Sequence, residues 1–269
     1  MNDTGYGQFG DLEAVVLDWA GTTVDYGCQG PVQAFLESFA ALGIEATLDE
    51  AREPMGMRKR DHVAAMLAMP RIARLWRDRY GDEPSEETID KVYALVEDIM
   101  LSVIQRYSVP IPGTLEAVDA MRRAGLGIGS CTGYPRPVAE LLAERAKEFG
   151  YAPDVMVCAT DVPQGRPAPD MCKEALRQLN VSDPARAVKI GDTIQDVLEG
   201  LRAGMWVVGI TLSGSLAGLS YEEVLVLSRD DRDALHQRVS HDLTLAGAHF
   251  TAPDVKSCLP LLREIEKRS

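Results

Sequence analysis

Val15-Val16-Leu17-Asp18-Trp19-Ala20-Gly21-Thr22-Thr23-Val24-Asp25 is an apolar run that stops on a carboxylate and a Gly-Thr-Thr turn. Consecutive apolar residues without polar alternation read as a strand covered on both faces, as in a parallel sheet. Open sheets of that kind bind ligands at the carboxyl ends of their strands, where this run delivers Asp18. Taken alone, the stretch reads equally well with Asp18 capping a following helix.

The sequence on the C-terminal side decides between the two. Helical patterns come first. Pro31 to Leu42 carries Phe35, Phe39 and Leu42 at helical spacing, Thr47-Leu48-Asp49-Glu50 is a capping box, and Pro54 interrupts or restarts the helix it opens. A run from Ile72 to Tyr80 and a long one capped by Ser85 follow. Pro110-Ile111-Pro112-Gly113 then gives a stiff re-entry, after which helices and strands alternate. Strands are expected at Leu126–Cys131, Val155–Ala159, Ala187–Ile190 and Trp206–Ile210, with helices between them and an edge strand at Ala248–Thr251. The pattern predicts an α/β fold, a doubly wound, mostly parallel sheet with an inserted α-helical cap. The expected boundaries are 1–26 and 111–269 for the catalytic core and 27–110 for the cap.

Composition narrows the partners. With 28 basic and 41 acidic residues the formal charge is −13, which argues against nucleic acid or an anionic membrane surface as the partner. An anionic small-molecule substrate must then be drawn by local cations, a metal or helix N-termini. Five widely spaced cysteines, Cys28, Cys131, Cys158, Cys172 and Cys258, form no C-x-x-C pair, so a reduced, cytoplasmic protein is the simplest expectation. Met1 to Gly10 lacks the basic and apolar regions of a signal peptide, and no apolar run is long enough to span a bilayer. His236, His241 and His249 fall in a tail to which no chemistry is assigned.

Four strand ends repeat one theme. They are Asp18, Thr132 in Ser-Cys-Thr-Gly, Arg166 in Gly-Arg-Pro-Ala-Pro, and Asp192 in Gly-Asp-Thr-Ile-Gln-Asp, which also holds Thr193 and Asp196. In this order they resemble the motifs of the haloacid dehalogenase superfamily, with its Rossmann-like core. The resemblance implies Asp18 as nucleophile, Thr132 and Arg166 as holders of the phosphoryl group, and Mg²⁺ held by Asp18, Asp192 and the Ala20 carbonyl. Asp196 and Thr193 are then support for the metal shell or its loop, and Lys189 is structural. The chemistry suits these residue types: a carboxylate can take a phosphoryl group, a guanidinium and a hydroxyl can hold its oxygens, and a divalent cation relieves clustered carboxylates.

One departure is informative. Superfamily phosphatases carry a second aspartate two residues after the nucleophile as general acid, and this chain has Ala20 there. If the segment after Pro54 is helical, Met55, Lys59 and His62 share a face, so an amine and an imidazole point together at the strand ends. Pro-Met-Gly, the following Lys and Asp-His, together with Asp-Trp-Ala-Gly-Thr-Thr and Thr-Gly-Tyr, resemble the phosphonoacetaldehyde hydrolase family across both domains. That resemblance implies hydrolysis of a C–P bond by way of a Lys59 imine and an Asp18 aspartyl phosphate. It implies His62 assisting proton transfers, Cys28, Met55, Gly56 and Tyr134 lining the pocket, and a homodimer. The competing readings are a phosphate ester phosphatase or phosphomutase of the same superfamily, and a non-catalytic phosphometabolite-binding protein.

Overall fold

A computed structural model describes residues 8–268. The N-terminal reading therefore lies outside the described residues as far as residue 7.

The opening stretch forms β1 (Ala14–Leu17), and the helical run after it comprises α1 (Gln29–Ala41), α2 (Leu48–Arg52), α3 (Lys59–Ala68), α4 (Pro70–Tyr80) and α5 (Glu86–Val103). The alternating part follows as α6 (Thr114–Arg123), β2 (Gly127–Thr132), α7 (Arg136–Glu148), β3 (Val155–Cys158), α8 (Asp170–Gln178), β4 (Ala187–Gly191), α9 (Ile194–Ala203) and β5 (Trp206–Ile210). The chain ends with α10 (Tyr221–Val226), α11 (Arg229–Leu245), the edge strand β6 (Phe250–Ala252) and α12 (Leu259–Glu266).

The strands make one six-stranded sheet in the order β3-β2-β1-β4-β5-β6, and every neighbouring pair is parallel. Side chains alternate across a strand, so β1 feeds two cores at once. Val15 and Leu17 join the core that includes α1, α3, α5 and α6, whereas Ala14 and Val16 pack with Met171, Cys172 and Leu176 of α8. Cover on both faces explains why the run is apolar throughout. It also leaves the first polar residue after β1, Asp18, at the sheet's carboxyl edge. The strand order reverses at β1, between β2 and β4, so this edge opens at a topological switch point.

The expected caps are present. Thr47 and Ser220 form capping boxes with Glu50 and Glu223, and the Ser85 hydroxyl accepts from Thr88 N–H. One expectation fails. The segment after Pro54 is not helical at once, because Gly56 takes a left-handed φ of 89°, which an α-helix cannot contain, and α3 begins only at Lys59. Met55 therefore stands in a turn, and the three-residue helical face of Met55, Lys59 and His62 does not form.

Candidate active site

The carboxyl edge of the sheet and the Pro54–Met57 turn enclose a cavity of about 20 Å³, lined by Asp18, Ala20, Cys28, Pro31, Met55, Gly56, Lys59, Thr132, Gly133, Tyr134, Arg166, Asp192 and Thr193. Residues from four strand ends and from the helical insertion thus meet in one place. His62 does not line the cavity. Its ring is fully buried behind it, stacked at 3.8 Å on Phe35 with Nε2 3.0 Å from the Ala51 carbonyl, and Nδ1 has no hydrogen-bond partner among the described residues. Burial, aided by Lys59, holds the imidazole well below its usual pKa, so it stays neutral.

Arg166 organises the charged floor. Its Nη2 donates to Asp18 at 2.7 Å and to the Cys131 carbonyl at 2.9 Å, and its Nε donates to Glu199 at 2.8 Å. Lys189, fully buried on β4, reaches Asp196 and Glu199 at 3.0 Å each. Burial works to raise Asp196, but Arg166 and Lys189 together outweigh it and leave the carboxyl below its usual range. Asp18 and Asp192 move the other way. Burial raises Asp18 against the pull of Arg166, and burial together with the Asp18 and Asp196 charges takes Asp192 to about 8.

That imbalance is the test of whether a metal fits. Asp18, Asp192, Asp196 and Glu199 face Arg166 and Lys189, with the Lys59 amine across the cavity, so the buried carboxylates outnumber the cations. One carboxylate oxygen from each of Asp18, Asp192 and Asp196 lies within 4.8 Å of the others. A divalent cation matches both the charge and the hard oxygen donors. Asp196 is shared between Arg166 and Lys189, whereas Asp18 and Asp192 line the cavity together with Ala20.

Asp192 is held from three further directions that the sequence motifs do not reveal. Ser215 N–H donates to Oδ2 at 2.7 Å, the Cys28 thiol to the same oxygen at 3.5 Å, and the Thr22 hydroxyl to Oδ1 at 3.3 Å. Gly21 permits this closeness, since a Cβ there would stand 2.6 Å from both Asp192 Oδ2 and Cys28 Sγ. The Ser213-Gly214-Ser215 loop follows β5, so the strand-end logic applied to that strand would have pointed to it. Thr193 and Asp196 form a capping box at the start of α9, which ties the loop after β4 to the Arg166 network.

Lys59 faces this floor from the insertion. The side chain is 6% exposed, with Nζ 4.9 Å from the Tyr134 ring centroid and 5.7 Å from that of Phe35. Burial lowers its pKa to about 8, against the opposing pull of Cys28 and Asp18. The flanking arginines do not cause this shift: Arg60 turns outward to Glu86 and Asp90, at 2.7 Å each.

A family profile described as haloacid dehalogenase-like hydrolase matches residues 12–204. A phosphonoacetaldehyde hydrolase of Nitratidesulfovibrio vulgaris is 45% identical across 96% of this chain and 92% of its own, and one of Bacillus cytotoxicus is 42% identical across 96% and 97%. The crystal structure of a phosphonoacetaldehyde hydrolase-like protein from Oleispira antarctica superposes with a TM-score of 0.95 at 39% identity, covering 97% of this chain and 95% of the other. The chain belongs to the phosphonoacetaldehyde hydrolase family of haloacid dehalogenase-like hydrolases. Membership in the phosphonoacetaldehyde hydrolases gives the Ala20 departure a context, because the leaving group is then carbon rather than an alkoxide oxygen. No helix among the described residues is long and apolar enough to cross a membrane.

Proposed function

We propose that the chain hydrolyses the C–P bond of phosphonoacetaldehyde to acetaldehyde and phosphate. The observation that carries this reading is a buried amine, Lys59, with its pKa lowered to about 8, lining the same cavity as the Asp18 carboxylate. A carbanion released from a phosphonate is too basic for a side-chain acid to protonate directly. An imine next to the breaking bond removes the difficulty by accepting its electron pair.

Lys59 condenses with the substrate aldehyde, releasing water. Asp18 Oδ then attacks phosphorus, the C–P bond breaks, and its electron pair passes into the imine to give an enamine on Lys59. Water hydrolyses the aspartyl phosphate to free phosphate. Protonation of the enamine at carbon and hydrolysis of the resulting imine release acetaldehyde and restore the amine. Arg166 and the Thr132 hydroxyl are the donors for the phosphoryl oxygens, and Tyr134 N–H, which donates to Thr132 Oγ1 at 3.2 Å, leaves that hydroxyl's proton free to point at them. Asp18, Asp192 and the Ala20 carbonyl would hold Mg²⁺, which would supply charge neutralisation between the carboxylates and the phosphonate dianion. Buried and neutral behind Phe35, His62 acts on this reaction through the position of Lys59 rather than by touching the substrate. The cavity holds little more than a water, so substrate entry requires the helical insertion, taken as residues 27–110, to swing from the core. Homodimerisation and a cytoplasmic location belong to the same reading, the latter supported by five buried free cysteines.

Turnover of phosphonoacetaldehyde compared with a panel of phosphate esters tests the assignment. Efficient cleavage of an ester with none of the phosphonate would replace it with the phosphatase reading.

Two further outcomes follow from the same geometry. Excess chelator should abolish turnover, and Asp192→Ala should raise the Mg²⁺ concentration for half-maximal activity by at least about tenfold, as loss of a ligand costs more than loss of its supporting partner. Unchanged metal dependence in that variant would remove Asp192 from the metal site. The pH profile should carry the lysine. Only the neutral amine attacks an aldehyde, so kcat/KM should climb about tenfold per pH unit on the acid side and level off. The bend should fall near the lysine's value of about 8 rather than near that of a solvated lysine. Borohydride inactivation in the presence of substrate should follow the same curve, and a bend above pH 10 would contradict the buried, neutral amine.

A further inference from the structure

Arg52, the last residue of α2, stands immediately before the turn that roofs the cavity. Its Nη1 donates to the Gly27 carbonyl at 2.9 Å and to the Ser215 carbonyl at 3.4 Å, and the guanidinium lies against Gly218, where a Cβ would be 3.1 Å from Nη1. A protein with 41 acidic residues offers many carboxylates, yet Arg52 has none within 4.0 Å among the described residues. Both bonds leave Nη1 and reach backbone carbonyls of two separate segments instead, a use that rewards geometry rather than charge pairing.

Both segments lead to the reacting groups. Gly27 precedes Cys28, whose thiol donates to Asp192, and Ser215 N–H donates to the same carboxylate at 2.7 Å. Gly27 N–H in turn donates to the Ser213 carbonyl at 2.7 Å, so the start of the insertion and the loop after β5 are already joined below the arginine. On the other side of Arg52, Met55 N–H donates to the Arg52 carbonyl at 2.9 Å, which fixes the turn carrying Met55 and Gly56 to the same residue.

We propose that Arg52 is a positioning residue that latches the roof turn of the helical insertion to the Ser213–Gly218 loop, so that one side chain sets both the cover of the cavity and the loop that holds Asp192. The consequence for catalysis rests on the reaction assigned above, but the latch itself does not. Ordering the roof and the Asp192 loop together means that closure and a competent metal-facing carboxylate arrive in one step.

Amide hydrogen exchange on the metal-free protein tests the coupling without any turnover. Arg52→Met keeps the unbranched aliphatic part of the side chain and removes the guanidinium donors, and Arg52→Lys keeps one donor and the charge. In the methionine variant, exchange should quicken about tenfold in residues 53–57 and 213–218 together, with the sheet unchanged, and the lysine variant should recover part of the protection. Mg²⁺ affinity measured by calorimetry should weaken about tenfold in the methionine variant, since Asp192 loses an ordered partner. Turnover should show a lower kcat/KM that Arg52→Lys partly rescues. Wild-type exchange in residues 213–218 of Arg52→Met overturns the latch, as does faster exchange confined to α2. If Arg52→Met does not fold, the lysine variant decides by the same two segments. A wild-type enzyme that fails to cleave phosphonoacetaldehyde, while the exchange coupling is present, would refute the reaction and leave the latch standing.

Discussion

Asp18→Asn should lose at least about 10⁴-fold in turnover while the protein remains folded and as heat-stable as wild type, because removal of a covalent nucleophile is among the most costly single changes an enzyme can suffer. Its amide keeps the shape but cannot take the phosphoryl group. Stability is expected to hold for an electrostatic reason. Burial raises the Asp18 carboxyl, so the folded state prefers it neutral, and removing its charge relieves repulsion with Asp196 and Asp192. Arg166 is not left unpaired, since Glu199 at 2.8 Å and Asp196 at 3.1 Å remain. The backbone at residue 18 is held independently, by its N–H to the Ile190 carbonyl and its carbonyl to the Thr23 hydroxyl, each at 2.9 Å. Acid-quenched enzyme should carry phosphate on Asp18 in wild type and none in the variant. Wild-type activity in the purified variant would eliminate the aspartyl phosphate route.

The parts of this site that were legible in the sequence share one physical cause. A parallel sheet presents its strand ends along one edge, so Asp18, Thr132 and Asp192 announce themselves as polar residues that stop apolar runs. Arg166 sits in a Gly- and Pro-flanked loop that reads as a break in the pattern. What escaped detection lacks that signature. The Ser215 contribution to Asp192 is a backbone N–H, which any residue type supplies. Glu199 lies three residues beyond Asp196 on α9, where a glutamate looks like a solvated helix face, yet its carboxylate is buried against Arg166 and Lys189. Lys189, a lysine inside an apolar strand, carries an electrostatic purpose that its sequence position does not signal, since it neutralises Asp196 and Glu199 beside Arg166. The misplaced expectation was the helical face of Met55, Lys59 and His62. It assumed that Pro54 restarts the helix, whereas the left-handed Gly56 delays it by a turn. That glycine lets the roof approach the core closely: a Cβ on it would stand 2.3 Å from Thr193 Oγ1. His62, three residues into α3 rather than one turn above a methionine, then packs under Phe35 instead of facing the strand ends.

Lys59→Arg should lose on the order of 10³-fold or more in turnover, the scale of a nucleophile's removal, and with it all borohydride sensitivity. Arginine retains a positive charge that attracts a phosphonate, but a guanidinium does not condense with an aldehyde, so the substitution separates covalent catalysis from simple attraction. In wild type, borohydride added during turnover should reduce the linkage to a stable secondary amine, inactivate the enzyme irreversibly and place the added mass on Lys59. The amine is suited to this because burial under Tyr134 and Phe35 keeps much of it neutral near pH 8, where a solvated lysine would be almost wholly protonated. The two variants cross-check each other. Asp18→Asn cannot accept the phosphoryl group but keeps Lys59, so borohydride should still trap the substrate there without phosphate release. Lys59→Arg keeps Asp18, Arg166 and Asp192, so inorganic phosphate and Mg²⁺ should bind as in wild type while no trapping occurs. Labelling at another lysine, or substantial phosphonoacetaldehyde turnover by the arginine variant, would reject the imine. The cavity would then have to be read as a phosphate ester site working without the acid that Ala20 replaces.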